Sequence, residues 1–158
     1  MTTQTLQVGD PAPSFVAKTG DGHTIRLEDF LGQRGLVLFF YPRDGTPVCT
    51  KQACAFRDSY SRFVDAGFEV VGVSSGSASS HQAFARQHQL PFPLISDTDG
   101  SLRRLYGASQ ALGIIPGRVT YVIDREGRIR LAYSALFAAD EHVRQALAAV
   151  GAASPPAQ

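Results

Sequence analysis

The sequence predicts an α/β domain, a mixed central sheet flanked by helices and preceded by an N-terminal hairpin. Three observations lead there: strand-like and helix-like stretches alternate, one strand is an unbroken apolar run suited to burial on both faces and a second also reads as buried, and a second hairpin comes late in the chain. At 158 residues and 17.0 kDa the chain can bury an adequate core without disulfide staples or a structural metal. One domain is therefore expected over residues 1–151, with a flexible C-terminal tail at 152–158, where Pro155 and Pro156 fall.

Phe15 to Lys18 and Thr24 to Leu27 are short strands around the turn residues Thr19-Gly20-Asp21-Gly22, hence a hairpin. Leu36 to Tyr41 is a continuous apolar run closed by Pro42, the pattern of a central strand. Ala53, Phe56, Tyr60, Phe63 and Val64 then recur at spacings of three and four, so the chain becomes a helix that starts near Cys49. Phe68 to Ser74 is a second buried strand, and Ala78 to Gln89 a helix capped by Ser77 and ended by Pro91. Phe92 to Ile95 reads as a strand and Ser101 to Tyr106 as a short helix. Val119 to Ile123 pairs with Ile129 to Tyr133 across Asp124-Arg125-Glu126-Gly127, and a last helix runs from Ala139 to Val150.

Composition excludes some functions. Fifteen Lys and Arg against fourteen Asp and Glu leave a net charge of +1, which gives no footprint for nucleic acid. No apolar run approaches the roughly 20 residues of a membrane span, and the start lacks a basic region followed by an apolar one. A soluble cytoplasmic protein is expected. In a reducing compartment the close pair Cys49 and Cys54 points to redox or catalytic work more than to a staple. A zinc site wants about four ligands, and the four histidines are scattered.

Chemistry should gather past the carboxyl end of the Leu36–Tyr41 strand, where Pro42 to Cys49 lies. A cysteine in the first turn of a helix faces unpaired N–H groups and the positive end of the macrodipole, and both favour the thiolate. A thiolate can attack an O–O bond and become a sulfenic acid. Thr46 can present its hydroxyl to the sulfur or to a peroxide oxygen, or can simply cap the helix ahead of Pro47. His81 and His88 would share a helix face and are read as solvated.

The segment Tyr41-Pro42-Arg43-Asp44-Gly45-Thr46-Pro47-Val48-Cys49-Thr50 resembles the P-x-x-x-T-x-x-C signature of the peroxiredoxins. Its continuation to Cys54, spaced C-x4-C, is similar to the bacterioferritin comigratory protein or PrxQ branch. Val8 to Phe15 resembles the family's opening, and Gly117-Arg118-Val119-Thr120 its late arginine strand. The resemblance implies a thioredoxin-like fold with Cys49 as peroxidatic cysteine, Cys54 as resolving cysteine, Thr46 and Arg118 clamping the peroxide, and Pro42 packed over it. It further implies a monomer that reduces hydrogen peroxide and organic hydroperoxides without a cofactor, recycled by thioredoxin or a glutaredoxin-like donor. Two departures stand out: Val48 where the branch commonly has glycine and Gln52 where it commonly has glutamate. Two other classes remain open. A copper-binding assembly factor on the same fold would draw on the cysteines and His142, and a thiol–disulfide oxidoreductase would favour a C-x-x-C that is absent.

Overall fold

The computed structural model describes residues 6–108, 110–111, 115–116, 118–135 and 138–153. Val16–Lys18 (β1) and Thr24–Arg26 (β2) form the expected antiparallel hairpin, followed by a single 3-10 turn at Leu27–Asp29. Then come Gly35–Phe40 (β3), Pro47–Asp58 (α1), Tyr60–Asp65 (α2), Phe68–Ser74 (β4), Ala78–His88 (α3) and Leu94–Ser96 (β5). Ser101–Leu105 (α4), the two-residue strands Gln110–Ala111 (β6) and Ile115–Pro116 (β7), Val119–Ile123 (β8), Ile129–Ser134 (β9) and Ala139–Ala153 (α5) complete the order.

The main sheet has the order β5-β4-β3-β8-β9, with β3 and β4 parallel and β3 and β8 antiparallel. Every residue of β3 is buried, so period-two alternation divides the strand between two cores. Leu36, Leu38 and Phe40 point to the side that holds Phe15, Tyr106 and Tyr121. Val37 and Phe39 point to the other, with Cys49, Phe56, Phe63, Phe84 and Val143. Position 35 has to be glycine, because a Cβ there would lie 2.2 Å from Phe68 Cε2 and 2.6 Å from the Ile123 carbonyl.

The strands β4 and β8 fall where the apolar runs put them. The single helix expected through Val64 is in fact two, broken at Ser59, whose φ of −102° and ψ of 4° leave the helical region. The interruption turns Phe63 into the core and leaves Val64 45% exposed. The strand expected at Phe92 to Ile95 starts two residues later, since Phe92 instead packs edge-on against Phe39. The last helix continues through Ala153, three residues past its expected end and into the segment read as a tail; residues 154–158 lie outside the described residues.

His142 on α5 is fully buried and ties the helix to the sheet: Thr120 donates to its Nδ1 (2.8 Å), and its Nε2–H donates to the Ala135 carbonyl (2.7 Å). Burial, reinforced by the nearby Arg118 cation, pushes its pKa from 6.5 down to about 4. Below pH 6.5 the unfolded chain takes up a proton that the folded one refuses, so this stability is full above 6.5 and drains as the pH falls towards 4. The whole effect is of the order of 3 kcal/mol. His142→Gln should therefore flatten the decline in stability between pH 7 and 4.5, followed by urea unfolding; an unchanged slope would refute the assignment.

Candidate active site

The loop from Tyr41 to Thr46 leaves the carboxyl end of β3 and delivers Cys49 into the first turn of α1, with Pro47 at the first helical position. The Thr50 N–H donates to the Thr46 carbonyl (2.8 Å), which closes that turn. Phe56 stacks on Phe39 with centroids 4.4 Å apart and planes 15° apart, so β3 holds α1 down two turns beyond the cysteine. Cys49 is buried at 1% exposure, and both cysteines are free.

Arg118 reaches this sulfur from 69 residues away through strand register. Phe40 pairs with Val119, so Arg118 stands one step past the last rung of the β3–β8 ladder, at the end where the cysteine loop begins. One guanidinium nitrogen donates to Cys49 Sγ at 3.2 Å, and another donates to Gln52 Oε1. At 3% exposure Arg118 is no surface arginine, and its donation to sulfur is suited to stabilising negative charge there. Gln52 is fully buried, and its Nε2 has no hydrogen-bond partner among the described residues. The departure from glutamate therefore acts on Arg118, whereas Arg57 bonds Asp58 and the His88 carbonyl.

Thr46 occupies the N-cap position without capping: its hydroxyl donates back to the Arg43 carbonyl (3.0 Å). Its oxygen is thus left as an acceptor for an incoming O–H. Pro42 is half-buried, its carbonyl accepting from Ser74 Oγ (3.2 Å), and with Thr46 it lines a cavity of about 610 Å³. Cys54 is half-buried on the same helix, five residues on. Regular helix geometry puts two such Cα atoms roughly 8.6 Å apart, beyond the ~7 Å that a disulfide rarely exceeds.

Several groups here carry no sequence signal. Arg103 on α4 donates to the Tyr41 carbonyl (3.0 Å) and lies 5.7 Å over the Phe40 ring; burial pushes its pKa down, opposed by Asp97 and Cys49. Tyr41 is held as a phenol by burial and by Asp44, to which it donates at 2.6 Å. His81 is 1% exposed and bonded to Asp44, not solvated, and His88 packs half-buried on Phe84. Both nitrogens of His142 are engaged, which removes it as a metal ligand for the cysteines. Among the described residues no group of three or more His, Cys, Asp and Glu is placed to hold a metal. Gly117, first residue of the arginine-strand motif, lies outside them.

Fold and site together define a thioredoxin-like α/β protein with a buried thiol, held by an arginine, at a helix start. The sequence profile of the AhpC/TSA family matches residues 8–132. A chloroplastic peroxiredoxin Q from Populus jackii is 48% identical over 140 residues, 88% of this chain and 65% of that protein, so the chain spans just under two thirds of that relative. The crystal structure of peroxidoxin BcpB from Mycobacterium tuberculosis superposes with a TM-score of 0.88 at 33% identity, covering 95% of this chain and 99% of that one. A Xanthomonas campestris bacterioferritin comigratory protein does so with a TM-score of 0.79 at 29% identity, over 87% and 90% of the two chains. The chain belongs to the AhpC/TSA family, on its peroxiredoxin Q branch.

Loss of the guanidinium that donates to the sulfur should slow the reactions of Cys49. Arg118→Met is expected to slow alkylation of Cys49 by iodoacetamide near pH 6 by about ten- to a hundredfold while Cys54 reacts as before, since a hydrogen bond to a charged group contributes about 1.5–3 kcal/mol. Peptide mapping after timed alkylation measures both sites, and an unchanged Cys49 rate would refute the role of Arg118.

Proposed function

We propose that this protein is a thiol-dependent peroxidase acting on hydrogen peroxide and organic hydroperoxides, recycled by a dithiol donor of the thioredoxin or glutaredoxin kind. The observation that carries the reading is the Arg118 guanidinium donating to a buried Cys49 sulfur in the first turn of a helix. The similar Xanthomonas campestris bacterioferritin comigratory protein has alkyl peroxide reduction activity, which supports the reading.

In the first step the Cys49 thiolate attacks the terminal peroxide oxygen. The O–O bond breaks, the sulfur keeps one oxygen as sulfenic acid, and the other leaves as an alcohol or water after taking a proton. Arg118 faces the atoms across which negative charge moves, and the Thr46 oxygen can accept the peroxide O–H. In the second step the Cys54 thiol displaces water from the sulfenic acid and closes a disulfide, which two thiols of the donor then reduce. Both cysteines belong to one chain, so one copy completes the cycle, and we read the working unit as a monomer.

Closure requires backbone movement, because the pair is too far apart on an intact helix. The start of α1 is the part that yields. Its second half is fixed by the Phe56–Phe39 stack, and the exposed Lys51–Asp140 pair (3.3 Å) that ties it to α5 contributes little.

Cys49→Ser should abolish peroxide consumption with thioredoxin, thioredoxin reductase and NADPH, because a hydroxyl is a far weaker nucleophile than a thiolate. Cys54→Ser should consume about one equivalent and then stall. Turnover near that of the parent in the Cys49 variant would end the proposal. Oxidation should also lower hydrogen-exchange protection over the first two turns of α1 and leave α2 protected. Equal protection in the two states, with a Cys49–Cys54 disulfide confirmed by mass spectrometry, would refute the unwinding step.

A further inference from the structure

Beside the thiol loop lies a buried ion pair that the peroxidase chemistry does not itself use. His81, on the second turn of α3, brings Nδ1 to 2.5 Å from Asp44 Oδ2, with side chains 1% and 8% exposed. Its other nitrogen faces only acceptors, the carbonyls of Ser74 (3.3 Å) and Ile95 (3.0 Å). An imidazole with acceptors on both sides satisfies them all only when both nitrogens carry hydrogen, so His81 is an imidazolium. Burial opposes this, but Asp44 and the two carbonyls outweigh it and hold the His81 pKa above its ordinary value. Burial likewise pushes Asp44 up, and the bonds from His81, Tyr41 and Ser80 more than reverse it.

The placement is specific. Ser74 ends β4 and Ile95 lies in β5, so Nε2 is fastened to the rim of the sheet. Asp44 lies midway between Pro42 and Thr46, in the loop that delivers Cys49. Its carboxylate also accepts from Tyr41 (2.6 Å) and Ser80 (2.7 Å), so three side chains fix it. Backbone crowds the pair at two points. A Cβ at Gly76 would lie 2.9 Å from both Asp44 Oδ2 and His81 Cε1, and one at Gly20 would lie 2.9 Å from His81 Cβ.

We propose that His81 is a positioning residue for the peroxide step: bolted to the ends of β4 and β5 through Nε2, it grips Asp44 through Nδ1 and so holds the Pro42–Thr46 loop in the shape that receives a hydroperoxide. The inference rests on the thiol-peroxidase reading and adds to it the source of the loop's rigidity. The pair fixes the part of the loop upstream of Cys49, whereas disulfide closure depends on the helix downstream. It therefore serves the first chemical step and not the second.

The two steps are measured separately: the second-order reaction of Cys49 with hydrogen peroxide in the Cys54→Ser protein, and the first-order closure of the disulfide in protein with both cysteines. Asp44→Ala and His81→Gln are expected to slow the first step at least about tenfold, the scale of a small misplacement of reacting groups, and to leave closure as fast as in the parent or faster. Asp44→Asn, which can still accept from Tyr41 and donate to a neutral His81, should recover most of the lost rate. A pair that served only stability would lower the melting temperature and leave the first step within twofold of the parent well below melting, and that result overturns the proposal. So does an asparagine variant as slow as the alanine one, or a slowing of closure equal to that of the first step. Should His81→Gln fail to fold, the contrast between Asp44→Ala and Asp44→Asn decides alone. Failure of the unsubstituted protein to consume peroxide would instead overturn the peroxidase reading, an outcome that no comparison among variants can imitate.

Discussion

The antiparallel ladder between β3 and β8, ending at Phe40 and Val119, is the constraint on which the site depends. It brings Arg118 to the end of the sheet where the cysteine loop starts, and a slip of one residue would send the guanidinium to the opposite face. The register is strongly specified because β3 is buried on both sides: each alternate residue is committed to one of two separate cores. The apolar packing of the sheet therefore fixes the position of a polar contact that no local stretch of sequence encodes.

Around that contact the molecule combines a rigid side with a compliant one. Upstream of Cys49 the loop is pinned to the sheet rim by charged and hydroxyl groups that leave no room for a methyl group. Downstream, α1 has an uncapped start held through Arg118, which donates to Cys49 and Gln52, while the Phe56–Phe39 stack fixes the helix further along. The proposed cycle, in which the site is first preorganised and then rearranges, is well served by this division, since a helix end without a side-chain cap opens more readily than its middle.

How much could be read in the sequence followed the physical signal available. Phe68–Ser74 and Val119–Ile123 are legible end to end, because short stretches rich in β-branched and aromatic residues, bounded by turn residues, read as strands. The break at Ser59 is not, since the apolar spacing continues across it and only the positions of Phe63 and Val64 reveal the change of axis. Cys49 announces itself through Pro47 and the helix start, whereas Arg118 stands out only through the family motif, being joined to the sulfur by long-range pairing. His81 is misleading: a lone histidine in a polar helix reads as solvated, and its partner Asp44 sits in the same loop as Pro42 and Thr46 with nothing to mark it. Burial of a charged pair is a property of two segments at once and leaves no periodicity in either.

The separation of the two cysteines on one helix also bears on the electrical poise of the protein. In the proposed cycle, closing the Cys49–Cys54 disulfide would mean giving up helical hydrogen bonds and the burial of Cys49, and opening it would let the helix re-form. Whatever free energy the helix regains on reduction is added to the driving force for accepting electrons, and about 1.4 kcal/mol displaces a two-electron couple by about 30 mV. Under the proposed function the helix would be a spring wound by peroxide and released by the donor. Substitutions that stiffen the start of α1 would make the disulfide harder to form and easier to reduce, so helix propensity at a few positions sets how oxidising the protein is.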